Sequence, residues 1–99
     1  MKSRLPISEE ALSQFCERHH IRRLALFGSV LKGTEGPESD VDLLVDFEPG
    51  RVPGLIALAG MEEELSLLIG RKVDLRTAQD LSRYFRDEVV RTAEVQFAR

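Results

Sequence analysis

Apolar residues recur along the chain at two spacings, one typical of helices and one typical of buried strands. Ser8, followed by two glutamates, has the form of a helix start, because a hydroxyl caps the first turn and acids suit its positive end. A second helix is predicted over residues 55–69 and ends at Gly70. The inward stripes of these helices are predicted to be Leu12, Phe15 and Cys16, and Leu58, Met61, Leu65, Leu68 and Ile69.

Three short segments have the pattern of strands, namely residues 22–27, 41–48 and 72–76. In the second, the odd positions are apolar and the even positions are mostly aspartates, so one face packs and the other is acidic. Residues 30–40 predict a short helical turn and a loop, and residues 95–97 alternate like an edge strand. These elements predict an α/β (α+β) fold, in which helices pack on a small mixed β-sheet.

A third helix is predicted after the third strand. The spacing of Thr77 to Asp80 matches a capping box, with aspartate in place of the usual glutamate. The apolar stripe of this helix is predicted to be Leu81, Tyr84, Phe85 and Val89. Because Tyr84 lies on that stripe, we expect it in the core, with a role as an acceptor hydroxyl as the alternative.

Length, charge and cysteine content narrow the class of protein. The 99 residues predict a single domain over residues 1–99. The formal net charge of −3 argues against a non-specific clamp on nucleic acid, so no direct nucleic-acid binding is expected. The sequence has one cysteine, which excludes an intrachain disulfide, and no apolar run near the roughly 20 residues that span a bilayer. We therefore expect a small cytoplasmic protein with no membrane contact.

Asp40 and Asp42 carry the strongest chemical signal. They stand two apart at the head of the second strand, so both carboxylates point to the same face. Two anions on one face repel each other, and a hard divalent cation such as Mg²⁺ offsets that repulsion through oxygen ligands. Asp74, on the third strand, is expected to join them. Three carboxylates can hold two metal ions, which stabilise the attacking and the leaving oxygen of a phosphoryl transfer.

Each of these aspartates also has a simpler interpretation. An Asp-x-Asp pair is common at solvated strand ends and turns. Lys72 and Arg76 flank Asp74 on the same face and offer it salt bridges. Asp46, further along the second strand, is expected to be solvated or salt-paired.

The Gly28-Ser29 turn shifts this balance toward a functional site. A glycine after a buried strand lets the backbone turn tightly and approach a ligand closely. Ser29 adds a hydroxyl and an N–H at the start of a helical turn, which favours a phosphate. For these two residues alone, an ordinary strand-to-helix turn is the alternative. The residues after Gly28 do not match a Walker A loop.

Taken together, these segments resemble the signature of the polymerase-β-like nucleotidyltransferase superfamily. Its parts are Leu26-Phe27-Gly28-Ser29, then ten residues, then Asp40-Val41-Asp42-Leu43-Leu44-Val45. Gly33 matches the second glycine of that signature, and Ser39 the serine before its first aspartate. Lys72-Val73-Asp74-Leu75 resembles the strand with the third carboxylate. The chain is most similar to the minimal nucleotidyltransferases, or MNT proteins, over about residues 22–77, with weaker similarity beyond.

The resemblance implies a role for each matching residue. The nucleotide-binding residues would be Gly28, Ser29, Lys32 and Gly33, contacting the phosphates of ATP. The catalytic and metal-binding residues would be Asp40, Asp42 and Asp74, holding two Mg²⁺ ions. Asp74 would also help to deprotonate an acceptor hydroxyl. Many relatives have arginine where this chain has Lys32, and lysine lacks the planar fork that contacts phosphate in bidentate fashion. A solvated surface lysine is the alternative there.

Short MNT proteins are similar to the antitoxin half of HEPN–MNT toxin–antitoxin modules. There the MNT protein transfers AMP from ATP to a tyrosine of its HEPN partner, an RNase, and silences it. The resemblance therefore implies a protein adenylyltransferase that releases pyrophosphate and forms a hetero-oligomer with a HEPN toxin. Two alternatives stay open: an antitoxin that neutralises its partner by contact alone, and a transferase that acts on a small hydroxylated molecule.

The remaining polar groups and the cysteine predict structural roles. His19 and His20 have no further ligands at metal-binding spacing, so they are expected to end a helix. Cys16 lies on an apolar stripe and is expected to be buried and inert. The glutamates at residues 62–64 are expected to form a solvated helix face.

Overall fold

Four strands form a mixed sheet in the part of the chain that the computed structural model describes, residues 5–28 and 40–99. They are β1 (Ile21–Phe27), β2 (Val41–Phe47), β3 (Val73–Arg76) and β4 (Glu94–Ala98), in the order β3-β2-β1-β4. β1 pairs antiparallel with β2 and β4, and β3 runs parallel to β2. The predicted small mixed sheet and its final edge strand are confirmed. The helical turn predicted between the first two strands falls on residues outside the described part.

Two of the three predicted helices form as the sequence indicates. Helix α1 (Glu9–Arg18) begins after Ser8, whose hydroxyl oxygen accepts the N–H of Ala11 at 3.1 Å. Helix α2 (Leu55–Ile69) has the predicted bounds, and Gly70 ends it in the left-handed conformation at φ 82°. Among the described helices, none is both long enough and apolar enough to cross a membrane.

One face of the sheet packs against α1 and α2 and forms the core. Its buried residues include Leu24, Leu26, Val41, Leu43 and Val45 from the sheet, Leu12, Phe15 and Cys16 from α1, and Met61, Leu65 and Ile69 from α2. Burial raises the pKa of the Cys16 thiol to about 12, so the thiol stays protonated and unreactive, as predicted. Leu68 was expected in this core, but it is 42 % exposed. Only the α2 residues at four-residue spacing are buried against the sheet.

The third predicted helix does not form as one element. Thr77 and Asp80 make the predicted capping box, but the box closes only a single 3-10 turn (Ala78–Asp80). The chain then turns, and helix α3 is the short segment Arg86–Thr92. The sequence pattern therefore identified where the helical segment begins and missed the interruption within it.

Arg86 explains that interruption. Its guanidinium donates to the backbone carbonyls of Ala78 and Leu81 at 2.7 and 2.9 Å. These are acceptors that a continuing helix would have used for its own N–H groups. Tyr84 and Phe85 consequently lie in the turn before α3, where they are 86 % and 48 % exposed. The expectation that Tyr84 lies in the core is wrong.

The outer edge of β3 is covered by side chains of α2. Ser66 Oγ accepts the N–H of Val73 at 2.9 Å, and Glu62 Oε2 accepts the N–H of Leu75 at 2.7 Å. These two contacts satisfy N–H groups that an edge strand would otherwise present to solvent. The prediction of a solvated face at residues 62–64 is therefore wrong for Glu62, which is half-buried against the sheet.

Glu64 joins α1 to α2. Its carboxylate lies 2.6 Å from Arg18 Nη1 and 3.0 Å from His19 Nε2. Partial burial alone would raise the pKa of Glu64, but the hydrogen bonds with His19 and Arg18 lower it overall. His19 stands at the end of α1, as the sequence predicted.

Replacing Ser66 by alanine is expected to lower the free energy of unfolding by about 1–3 kcal/mol, because the Val73 N–H then loses its acceptor. Thr92→Ala is the control, since the Thr92 hydroxyl donates within α3, to the carbonyl of Glu88. It should cost no more than about 0.5 kcal/mol. Urea unfolding of both variants measures the difference, and equal losses would contradict the edge-covering role of Ser66.

Candidate active site

The face of the sheet opposite the core is acidic along β2. Because side chains alternate along a strand, burial of Val41 and Leu43 in the core directs Asp42 and Asp46 to the other face. Asp40 stands immediately before β2, in step with them. The acidic face predicted from the sequence is therefore present.

Asp42 lies between the other two segments that the sequence singled out. On one side it pairs with Phe27, the last residue of β1, and on the other with Asp74 of β3. Neighbouring strands run about 4.8 Å apart, so Asp42 and Asp74 stand at adjacent positions across the sheet. The structure thus brings these two aspartates side by side, with Asp40 at the start of the same strand.

The electrostatics of Asp42 indicate a face with an excess of negative charge. Burial raises the pKa of the Asp42 carboxyl, and the negative charges of Asp74 and Asp40 raise it further. Arg76 acts in the opposite direction and offsets these effects only in part. Additional positive charge on this face would relieve the repulsion.

Gly28 directly follows β1, in a position that only glycine fits. Its φ of +80° lies in the left-handed region, where side chains are strained. A Cβ built at Gly28 would also overlap the carboxylate of Asp42. The glycine turn and the acidic face are therefore in direct contact. The other predicted nucleotide-binding residues, Ser29, Lys32 and Gly33, lie outside the described residues.

Two cationic side chains stand among the carboxylates. Arg76 Nη2 lies 3.1 Å from Asp74 Oδ2, and Lys72 Nζ lies 3.8 Å from Asp40 Oδ2. Of the two cationic residues that flank Asp74 in the sequence, Arg76 pairs with it, whereas Lys72 lies near Asp40. Further along β2, Asp46 pairs with Arg22 at 2.5 Å, which confirms the expectation of a salt-paired strand end.

The carboxylates of Asp40, Asp42 and Asp74 are ligands of the kind that Mg²⁺ binds, although the three do not converge on one point. Carboxylate oxygens are the ligands that Mg²⁺ prefers. Burial and then repulsion from Asp74 and Asp40 raise the pKa of Asp42, and a divalent cation relieves that repulsion. Within residues 5–28 and 40–99, however, no three acidic, histidine or cysteine side chains gather closely enough to hold an ion together. Asp40, Asp42 and Asp74 share a face, and two of them are turned toward cationic neighbours.

Sequence reasoning did not find a groove beside Asp74. Leu55 and Ala59 of α2 line it on one side, and Asp74 and Arg76 of β3 line it on the other. Leu55 and Ala59 share a helical stripe with Glu62, the residue that contacts β3. The sequence shows that these residues share one side of α2. It does not show that this side of the helix meets the edge of the sheet.

A family model for the nucleotidyltransferase domain matches residues 8–97. The chain belongs to this family. One relative is the protein adenylyltransferase MntA of Thermococcus cleftensis, which is 44 % identical over 59 residues. That match covers 60 % of this chain and 58 % of MntA, so it spans little more than half the length of that relative.

Solved structures support the same assignment. A candidate minimal nucleotidyltransferase is 39 % identical, with a TM-score of 0.69, and the alignment covers 86 % of this chain and 85 % of that one. A toxin–antitoxin crystal structure with AMP-PNP has a TM-score of 0.74 at 21 % identity, covering 94 % of this chain and 75 % of that one. The second likeness concerns the fold alone. The predicted polymerase-β-like nucleotidyltransferase fold, and the resemblance to the minimal nucleotidyltransferases, are confirmed.

Proposed function

We propose that this nucleotidyltransferase family member transfers AMP from ATP to a hydroxyl of a partner protein and thereby acts as its antitoxin. The observation that carries the proposal is the side-by-side placement of Asp42 and Asp74, with Gly28 held against the Asp42 carboxylate. Nucleotidyl transfer needs carboxylate ligands for a cation next to a backbone turn that phosphates can approach closely. This face offers both.

Each residue of the face has a place in this proposal. Asp40 and Asp42 would hold Mg²⁺, and Asp74 would complete a site for a second ion. Bound there, Mg²⁺ supplies positive charge to oxygens that become more negative during the transfer. Gly28 would let the backbone approach the outer phosphates of ATP. On the grounds of the family resemblance, the remaining phosphate contacts are assigned to Ser29, Lys32 and Gly33.

The reaction exchanges one P–O bond for another. The acceptor oxygen attacks the α-phosphorus of ATP, and the bond from that phosphorus to the oxygen bridging to the β-phosphate breaks. Pyrophosphate leaves with the electron pair of that bond, and AMP remains on the acceptor. The acceptor proton passes to the Asp74 carboxylate, whose salt bridge to Arg76, at 3.1 Å, opens to receive it.

The proposed partner is a HEPN-family toxin, and the proposed acceptor is one of its tyrosines. The HEPN partner and its tyrosine follow from the resemblance to the MNT proteins, and two likenesses support the broader choice of a protein acceptor and a toxin partner. The relative from Thermococcus cleftensis is a protein adenylyltransferase, and the fold is shared with the antitoxin-bearing crystal structures. The chain and its toxin would form a hetero-oligomer.

A second candidate function is neutralisation by contact, without catalysis. The observation in its favour is that Asp74 and Asp40 face Arg76 and Lys72 and do not converge with Asp42. In that case the salt bridges would be permanent features of the surface. The two candidates differ in whether AMP leaves ATP.

ATP labelled on a single phosphate tests the proposal. With the protein encoded beside this chain as acceptor, we expect label to enter that protein from the α-phosphate and not from the γ-phosphate. Label from the γ-phosphate would instead indicate a kinase. No label from either position, with a stable complex between the two proteins, would favour the contact antitoxin.

A further inference from the structure

Arg76 and Asp74 make a two-bond contact on the acidic face. They stand two apart on β3, so both side chains point away from the core. The Nε and Nη2 atoms of Arg76 donate to Asp74 Oδ2 at 3.2 and 3.1 Å. By comparison, Lys72 lies 3.8 Å from Asp40 and its side chain is 78 % exposed. Of these two cations beside the proposed metal ligands, Arg76 is the more firmly held.

The contact with Arg76 and a metal ion at Asp74 compete for the same oxygen. An oxygen that accepts two N–H groups has both lone pairs engaged, so Oδ2 cannot ligate an ion at the same time. A guanidinium at hydrogen-bond distance would also repel a divalent cation there. Within the described residues, Asp40, Asp42 and Asp74 do not gather closely enough to hold an ion together. Arg76 must therefore move before Asp74 can join the other two carboxylates around a metal.

A second anionic position for Arg76 lies in the same groove. Asp80, in the 3-10 turn after β3, lines the groove together with Asp74 and Arg76. The hydrogen bond and the charge of Asp74 raise the pKa of the guanidinium, partial burial lowers it, and the charges of Asp80 and Glu62 raise it further. The Asp80 carboxylate accepts the N–H of Thr77 at 3.1 Å, and a carboxylate can accept further donors. Asp80 can therefore receive Arg76 without releasing Thr77.

We propose that Arg76 is a positioning residue with two partners, Asp74 when the face holds no metal and Asp80 when Asp74 ligates an ion. This inference rests on the proposed function and adds the group that controls access of the second ion. In the first arrangement the guanidinium supplies positive charge to the acidic face, where it offsets part of the rise in the pKa of Asp42. In the second, the Asp74 carboxylate is available to the ion and to the acceptor proton.

Arg76→Gln and Arg22→Gln provide a matched pair of variants. Each change removes a half-exposed guanidinium that pairs with an aspartate of the acidic face. The partner of Arg22 is Asp46, which stands four residues beyond Asp42, about 13 Å further along β2. Exposed charges act over roughly 8 Å at physiological salt, so Arg22→Gln should leave metal binding unchanged.

The test titrates each purified chain with Mn²⁺, which prefers the same oxygen ligands as Mg²⁺, and follows the free ion by electron paramagnetic resonance. Arg76→Gln should bind Mn²⁺ about fivefold more tightly than wild type, the upper end of what a partly exposed salt bridge contributes. Arg76→Lys keeps the positive charge and should bind the ion less tightly than Arg76→Gln does. Arg22→Gln should bind it as wild type does.

Asp80→Asn tests the second position of Arg76. Asparagine keeps an oxygen that can accept the Thr77 N–H but loses the charge that would receive the guanidinium. The change should weaken Mn²⁺ binding by about threefold in the wild-type background. It should have no effect in the Arg76→Gln background, because the two residues act together. A direct effect of the lost charge on the ion would instead appear in both backgrounds.

Three results would overturn the exchange of Arg76 between Asp74 and Asp80. They are Mn²⁺ binding by Arg76→Gln that is no tighter than by wild type, an equal gain for Arg22→Gln, or an equal loss from Asp80→Asn in both backgrounds. The titrations need neither ATP nor a partner protein, so they are independent of the labelled-ATP experiment. If they behave as expected but no label enters the partner, the proposed function fails and the exchange stands. If label enters the partner and the titrations show no difference, only the exchange fails.

Discussion

Asp42→Asn is expected to reduce AMP transfer by about 10³-fold or more and to raise the melting temperature of the metal-free protein. The loss of activity follows because asparagine removes a charged ligand from the centre of the acidic face, and charge stabilisation is usually the largest contribution to such reactions. The gain in stability follows from the same charge, which the folded protein holds beside Asp74 and Asp40.

The sign of the stability effect comes from the pKa of Asp42. Burial and the neighbouring carboxylates raise this pKa above its ordinary value, so the folded state binds the proton more tightly than the unfolded chain does. Stability therefore falls as the pH rises from the unfolded pKa to the folded one. Above that interval the ionised carboxylate destabilises the fold, and asparagine removes this penalty.

Asp46→Asn is the matched control for Asp42. Asp46 lies on the same face of the same strand, but it is paired with Arg22 and exposed. Its loss should change transfer by less than about twofold and should not raise the melting temperature. Thermal unfolding with and without Mg²⁺ completes the comparison. The ion should stabilise wild type and have little effect on Asp42→Asn, and a lower melting temperature for Asp42→Asn without metal would contradict the charge excess.

Gly28→Ala is the second substitution for which we expect a large effect, namely a loss of AMP transfer. Its left-handed φ costs any other residue about 1–3 kcal/mol. The added Cβ also overlaps the Asp42 carboxylate, which must swing away from its position. Because a displacement of about 1 Å at a reacting centre can cost 10²-fold in rate, AMP transfer should fall by about that factor.

Gly50→Ala separates the two causes. Gly50 has nearly the same φ, +78°, but an added Cβ there meets no atom within 4 Å. Gly50→Ala should therefore lose only the stability that its backbone conformation costs in urea unfolding. Gly28→Ala should lose more, because it also carries the overlap with Asp42, and it alone should lose activity. Full activity of Gly28→Ala would show that the contact between the turn and Asp42 has no catalytic role.

The parts of the fold that the sequence predicted well are those in which local spacing decides the structure. Alternation along β2 assigned the core face and the acidic face, and Gly70 marked the end of α2. The prediction of one continuous third helix was wrong because a contact between distant residues decides the structure there. Arg86 reaches back to carbonyls at Ala78 and Leu81, and no periodic pattern reports such a contact.

The same distinction holds for the candidate site. Asp40 and Asp42 share a face by strand geometry alone, and Asp74 was placed by its own strand pattern and by family resemblance. The register that sets Asp42 beside Asp74 depends on how two distant segments pair. The groove at Leu55 depends on the rotation of α2 over the β3 edge, which Glu62 and Ser66 fix through hydrogen bonds.

Adenylylation of a protein partner is tested most directly by the intact mass of the protein encoded beside this chain, after incubation with the chain, ATP and Mg²⁺. We expect a gain of one or more AMP units with wild type and none with the double variant Asp40→Asn/Asp42→Asn. An unchanged mass, with a stable complex on a sizing column, would contradict catalysis and leave an antitoxin that acts by contact. An unchanged mass without a complex would contradict the partnership as well and favour a small hydroxylated acceptor.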